Sequence, residues 1–291
     1  MTPDVVRVQY TGENTFIGNG TDVCLPRAVD NPVRWVYTPN PDCYLLKSDS
    51  LIVRVDLSTA SITYLDKEGG LLLQEDQNIP RISEKRVTKQ VIYDEHSKHI
   101  EKTADGDKEI KNVLRYDTIG HTWKYRINFK WQPLEALYGW GAHMEDYMNL
   151  RGKELYLCQH NLKAMVPVLN STAGYGLLFD AGCAMMFKDN SEGSFVELEA
   201  AKQIDYYFMK GKTMDAVVAN YRLLTGNSPM MPLYLFGYIQ SKERYVSSDD
   251  LINTLKEYRQ RQIPIDMIVQ DWNYWPEGQW AVSYTHLTLP T

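Results

Sequence analysis

The stretch QRQIPIDMIVQDWNYW, residues 260–275, decides how the chain is read. An apolar run from Ile265 to Val269, interrupted only by Asp266, ends in Asp271 and then in Trp272, Asn273, Tyr274 and Trp275. Before it, SSDDLINTLKEYRQRQ (247–262) opens with a capping box from Ser247 to Asp250 and carries Leu251, Leu255 and Tyr258 on one helical face. LYLFGYIQ (233–240) is a second apolar run. Helix between near-continuous apolar strands is the pattern of a parallel sheet covered on both faces. Asp271 then stands at the C-terminal end of a strand, the edge where such sheets place ligand groups because the following loops converge there. A carboxylate accepts hydrogen bonds from pairs of sugar hydroxyls, and flat indole faces cover the apolar side of a pyranose. Asp271 beside Trp272 and Trp275 therefore suits a carbohydrate. The competing reading has Asp271 capping the next turn and the aromatics in a core; Asp266 reads as structural.

Working back towards the N-terminus, the text changes character. TMDAVVANYRLLTG (213–226) carries a Thr213 N-cap, Asp215 in the first turn and Gly226 where a helix should stop, which predicts a connecting helix followed by a linker at Pro229 and Pro232. From residue 1 to 211 short alternating runs such as LIVRVDL (51–57), SITYLD (61–66), KYRINFKW (124–131) and GYGLLFD (174–180) predict an antiparallel β-sandwich. YLDKEGGLLL predicts a hairpin turning at Gly69 and Gly70. The charged interval 83–117 predicts solvent-facing strands joined by a turn at Asp105, Gly106 and Asp107.

Bulk properties narrow the function classes. Net charge is -6 with no basic block, so the electrostatic footprint of a nucleic-acid binder is missing. No window has the roughly 18 continuous apolar residues of a membrane helix, and the opening residues lack the basic and apolar parts of a signal peptide. The chain as given reads as soluble. Cys24, Cys43, Cys158 and Cys183 are widely spaced, which favours small thiols over a zinc site or a disulfide framework. His96 and His99 sit three apart without a visible carboxylate partner set, so a metal role is disfavoured.

Together IPIDMIVQDWNYW, PLYLFGYIQSKERYVSSDDL, IDYYFMKGKTMDAVVANYRLLTG, LYGWGAHMEDYMNLRGKELYLCQHNLKAMVPVLNSTAGYGLLFD and YLLKSDSLIVRVDLSTASITYLDKEGGLLLQE resemble glycoside hydrolase family 31, the α-glucosidases, α-xylosidases and related transglucosylases. The resemblance implies a galactose-mutarotase-like β-sandwich over 1–211, a connecting segment over 212–232, and the start of a (β/α)₈ TIM barrel over 233–280. The run 281–291 lacks that pattern and is read as non-native. The resemblance further implies retaining hydrolysis by two aspartates on later strands, without a metal or other cofactor, acting on a terminal α-glucosyl or α-xylosyl unit of an oligosaccharide. The catalytic pair is therefore expected beyond this chain, which alone is expected to be inactive. Asp271 matches the aspartate that binds hydroxyls of the terminal sugar. Tyr138, Gly139 and Gly141 match the sandwich signature, the glycines serving tight backbone positions. Arg151, in the loop Met148 to Lys153, is a candidate substrate contact. Lys242 departs from the family, where many members have arginine.

Two other classes compete. One is a non-catalytic carbohydrate-binding sandwich, against which the strand–helix–strand text after Pro232 argues. The other is an aldose epimerase using a histidine and a carboxylate, for which His121 and His160 are the isolated candidates.

Overall fold

A computed structural model of the chain describes residues 2–13, 15–16, 23–25, 34–103 and 106–271. Trp272, Trp275, Asp105 and the run 281–291 lie outside the described residues. In chain order the strands are β1 (Val5–Tyr10), β2 (Val36–Pro39), β3 (Cys43–Lys47), β4 (Leu51–Asp56), β5 (Ile62–Asp66), β6 (Leu71–Glu75), β7 (Arg81–Tyr93), β8 (His99–Thr103), β9 (Gly106–Ile110) and β10 (Val113–Lys130). There follow β11 (Leu137–Ala142), β12 (Glu154–Leu157), β13 (Ala164–Ser171), β14 (Tyr175–Phe179), β15 (Met185–Asn190), β16 (Gly193–Ala201), β17 (Ile204–Lys210), helix α1 (Met214–Thr225), β18 (Ile239–Lys242), helix α2 (Ser248–Gln260) and β19 (Met267–Gln270). The chain divides into two compact units, residues 1–88 with 119–227, and residues 89–118 with 228–291.

The first unit is mainly β. One sheet runs β1-β17-β14-β13-β11 and the other runs β12-β15-β16-β10-β6-β5-β4-β3-β2, with β7 paired to β10. Period-two alternation explains the sandwich. On β10, Tyr125, Ile127 and Phe129 are buried while Arg126, Asn128 and Lys130 face the other way. One core joins the inner faces of both sheets: Tyr64 on β5 stacks on Phe208 of β17 with ring centroids 3.9 Å apart, and Trp140 on β11 lies 6.0 Å from Phe187 of β15. At the β5–β6 hairpin Asp66 N–H donates to the Gly70 carbonyl at 2.8 Å and Gly69 has φ +92°, as the glycine pair predicts.

Gly139 and Gly141 straddle a β-bulge on β11, at φ +127° and +93°. A Cβ on either would run into the backbone carbonyl of Val168 or Ala164 respectively. The bulge turns Trp140 into the core, where it is fully buried. Helix α1 starts where predicted, the Thr213 hydroxyl accepting from Ala216 N–H, and buries Val217 against Val5, Val168 and Met209. None of the four cysteines forms a disulfide; Cys24 and Cys43 are buried and the other two half-buried.

In the second unit β8 and β9 form a hairpin, Thr103 opposite Gly106, so Gly106 and Asp107 lie in the strand. The apolar run from Leu233 departs from expectation. Leu233–Phe236 is a 3₁₀ turn after Pro232, and the strand begins at Ile239. Among the described residues no helix is long and apolar enough to cross a membrane.

Candidate functional site

Strands β18 and β19 pair in parallel, from Ile239 opposite Met267 to Lys242 opposite Gln270, with α2 as the crossover. Local chemistry fixes each part. The Ser247 hydroxyl accepts from Asp250 N–H at 3.1 Å, and the Asp250 carboxylate accepts from Val246 N–H at 3.1 Å, which starts the helix. Leu251, Thr254, Leu255 and Tyr258 form its half-buried face. The Tyr258 hydroxyl donates to Gln240 Oε1 at 2.7 Å, and Arg259 Nη2 donates to the Ile265 carbonyl at 2.9 Å, so the last turn of the helix is tied to β18 and to the segment leading into β19. Asp266 is structural, as expected: its carboxylate accepts from Tyr238 N–H at 3.0 Å and its own N–H donates to the Tyr238 carbonyl at 3.0 Å. Gly237 leaves room for that carboxylate, since a Cβ there would collide with it.

Asp271 follows the last paired residue of β19 and is exposed at the C-terminal edge. The loop leaving β18 is held at the same edge: Gln270 Oε1 accepts from Tyr245 N–H at 2.9 Å, and the buried Tyr245 ring lies under the Lys242 ammonium, 5.2 Å from its centroid. Lys242 also approaches Asp250 at 3.9 Å. A carboxylate, an ammonium and an aromatic ring therefore share one strand edge. Nothing in the sequence pattern marks Gln270 or Tyr245, because what they do depends on the parallel register.

Arg151 lies in the other unit. Its Nε donates to Asp189 at 2.9 Å and its Nη1 to the carbonyls of Gln132 and Glu135 at 2.8 and 3.0 Å. Those bonds pin the loop Met148 to Lys153, and Gly152 N–H adds a 2.7 Å bond to the same carboxylate. Against the effect of its burial, the Ser194 hydroxyl, with Gly152 N–H and the Arg151 guanidinium, holds the Asp189 carboxyl below the usual range. The epimerase candidates are apart in function: His121 bonds Glu13 at 2.8 Å on an exposed face, while His160 bonds the neighbouring Asn161 carbonyl.

Two buried networks inside the sandwich have no local sequence signal. Glu75, fully buried, accepts from Arg81 Nη2 at 2.5 and 2.6 Å, Ile62 N–H at 2.9 Å and the Tyr206 hydroxyl at 2.9 Å. Glu135 accepts from the Ser171 hydroxyl, from Gln132 N–H, and from the Tyr175 hydroxyl at 2.8 Å. Burial beside that carboxylate pushes the Tyr175 phenol up.

A family model described as the glycosyl hydrolases family 31 TIM-barrel domain matches residues 228–288, the segment carrying β18, α2 and β19. The α-xylosidase of Saccharolobus solfataricus is 28% identical over 297 residues, covering 99% of this chain. These matches support glycoside hydrolase family 31, with the family's barrel segment at residues 228–288. The chain spans 36% of the length of that relative, and 23% of the α-xylosidase A of Aspergillus niger, with which it is 26% identical over 56% of its own length. Among solved structures it resembles a family 31 dextranase from Flavobacterium johnsoniae complexed with isomaltotriose, at TM-score 0.71 and 22% identity over 95% of this chain and 31% of that one. A family 31 α-xylosidase from a soil metagenome, complexed with xylose, gives TM-score 0.71 and 22% identity over 94% and 38%.

Proposed function

We propose that this chain is the N-terminal part of a longer retaining α-glycosidase that removes terminal α-xylosyl or α-glucosyl units from oligosaccharides. The observation that carries the reading is the place of Asp271, at the carboxyl edge of a parallel strand pair inside the segment matched by the family's barrel model. Asp271 accepts hydrogen bonds from hydroxyls of the terminal sugar, and Trp272 and Trp275 cover its apolar face. Arg151 contributes a polar contact to saccharide from the sandwich. The nucleophile and the acid/base are two further carboxyl groups about 5 Å apart on later strands. An acid in such a pair needs the raised pKa of a closed site, which one βαβ unit does not enclose. On this reading the 291-residue chain alone does not hydrolyse α-glycosides. Supporting the reading are relatives named as α-xylosidases and α-glucosidases, of which this chain spans about a third or less. The test compares the 291-residue chain with the protein read on through the downstream frame, using p-nitrophenyl α-xyloside and α-glucoside. Release of p-nitrophenol by the longer protein alone is expected; release by the short chain contradicts the proposal.

A further inference from the structure

An open cleft of about 810 Å³ lies on the outer face of the larger sheet, where β6 and β10 meet between the segment after β6 and the turn before β16. Its size falls within the roughly 300–1,000 Å³ usual for small-ligand sites. The floor is apolar: Trp131, of which 8% is exposed, stacks on Phe129 at 4.9 Å, and Leu71, Ile79 and Ile82 leave their side chains uncovered around it.

The polar lining is saturated in charge and unsaturated in hydrogen bonds. Each cation in the cleft already has its counter-ion: Lys130 with Asp76 at 3.5 Å, Arg126 with Glu197 at 2.8 Å and Arg151 with Asp189 at 2.9 Å. The backbone N–H groups of Ile79 and Asn78, with Lys130, hold the Asp76 carboxyl below its usual range, so it stays an acceptor. By contrast, the side-chain amides of Gln74 and Asn78 make no hydrogen bond among the described residues, and each offers two donors and an acceptor to the cleft. An anionic ligand would have to displace paired carboxylates. A neutral molecule with many hydroxyls and apolar C–H faces needs no such displacement, because it meets the Gln74 and Asn78 amides and an apolar lining that includes Trp131.

We propose that this cleft is a carbohydrate-binding site carried by the sandwich itself and built to hold a neutral oligosaccharide on the amides of Gln74 and Asn78 over Trp131. The choice of sugar among neutral polyols rests on the glycosidase reading above. Because the two amides bond to nothing among the described residues, removing them leaves the fold intact, which makes them the sites to change.

The experiment titrates maltotriose into the 291-residue chain, read by calorimetry and by saturation-transfer NMR on the sugar. Saturable one-site binding is expected, weakened at least tenfold in Gln74→Ala/Asn78→Ala, with the melting temperature of the double variant unchanged. Absence of saturable binding, binding unaltered in the double variant, or saturation by inorganic phosphate in place of maltotriose overturns the proposal. Hydrolysis is read separately on the longer protein. Its absence with cleft binding intact would overturn the glycosidase reading alone, and loss of cleft binding with hydrolysis intact would overturn this one alone.

Discussion

Replacing Arg81 by methionine removes the counter-ion of a carboxylate that has no exposure to solvent. In the native sandwich Glu75 receives both bonds from Arg81 Nη2, at 2.5 and 2.6 Å, together with two neutral donors, Ile62 N–H and the Tyr206 hydroxyl. Burial already pushes the Glu75 carboxyl up from its ordinary value, and the Arg81 charge is the largest effect holding it down. Without that charge the group folds only by taking up a proton. Breaking a buried pair in this way costs about 3–5 kcal/mol. The sign of the pH dependence follows from the raised folded value. The variant keeps its greatest stability below the unfolded carboxyl value of about 4.3, and above it loses about 1.4 kcal/mol per pH unit until the folded value is passed. Urea unfolding followed by tryptophan fluorescence at pH 5 and pH 8 should therefore show a larger loss at pH 8. Adding Glu75→Gln should remove the pH dependence. A loss of less than about 1 kcal/mol, or one equal at both pH values, would refute the reasoning.

Other consequences are more local. Gly141→Ala combines φ +93° with a Cβ driven into the Ala164 carbonyl, so it should cost about 3 kcal/mol or more and lower the unfolding midpoint sharply. Gly152→Ala, at φ +73° in open space, should cost about 1 kcal/mol in the same assay. The Asp56 carboxyl, held by the Ser58 hydroxyl and by the N–H groups of Thr59 and Ser58, should titrate at about 2 in a carbon-detected NMR titration and move up in Ser58→Ala. Its folded value lies below the unfolded one, so what it adds to stability is present above about 3.9 and is lost as pH falls through about 2.

The elements legible in the sequence are those fixed by neighbours along the chain. The alternation of Tyr125, Ile127 and Phe129 against Arg126, Asn128 and Lys130 states which face of β10 is buried. Thr213 and Ser247 mark helix starts because a capping hydroxyl needs only the N–H three residues on. The segment Leu233–Phe236 misleads for the opposite reason: hydrophobicity there reads as strand, while Pro232 and the approach of Asp266 to Gly237 set a 3₁₀ turn. The buried charges were illegible for a simpler cause. Arg81 stands only six residues from Glu75, but Tyr206 reaches Glu75 across 131 residues and Asp189 reaches Arg151 across 38, so no window contains a whole network. At the strand edge the position of Asp271 was readable from period and order, but its companions Gln270 and Tyr245 needed the parallel register.

The most direct measurement is kcat/KM on p-nitrophenyl α-xyloside and α-glucoside for the longer protein and its Asp271→Asn variant. If the carboxylate accepts two sugar hydroxyls in charge-assisted bonds of about 1.5–3 kcal/mol each, the variant falls at least about 100-fold on its better substrate while its unfolding midpoint stays put. A value within threefold of the parent would contradict the account.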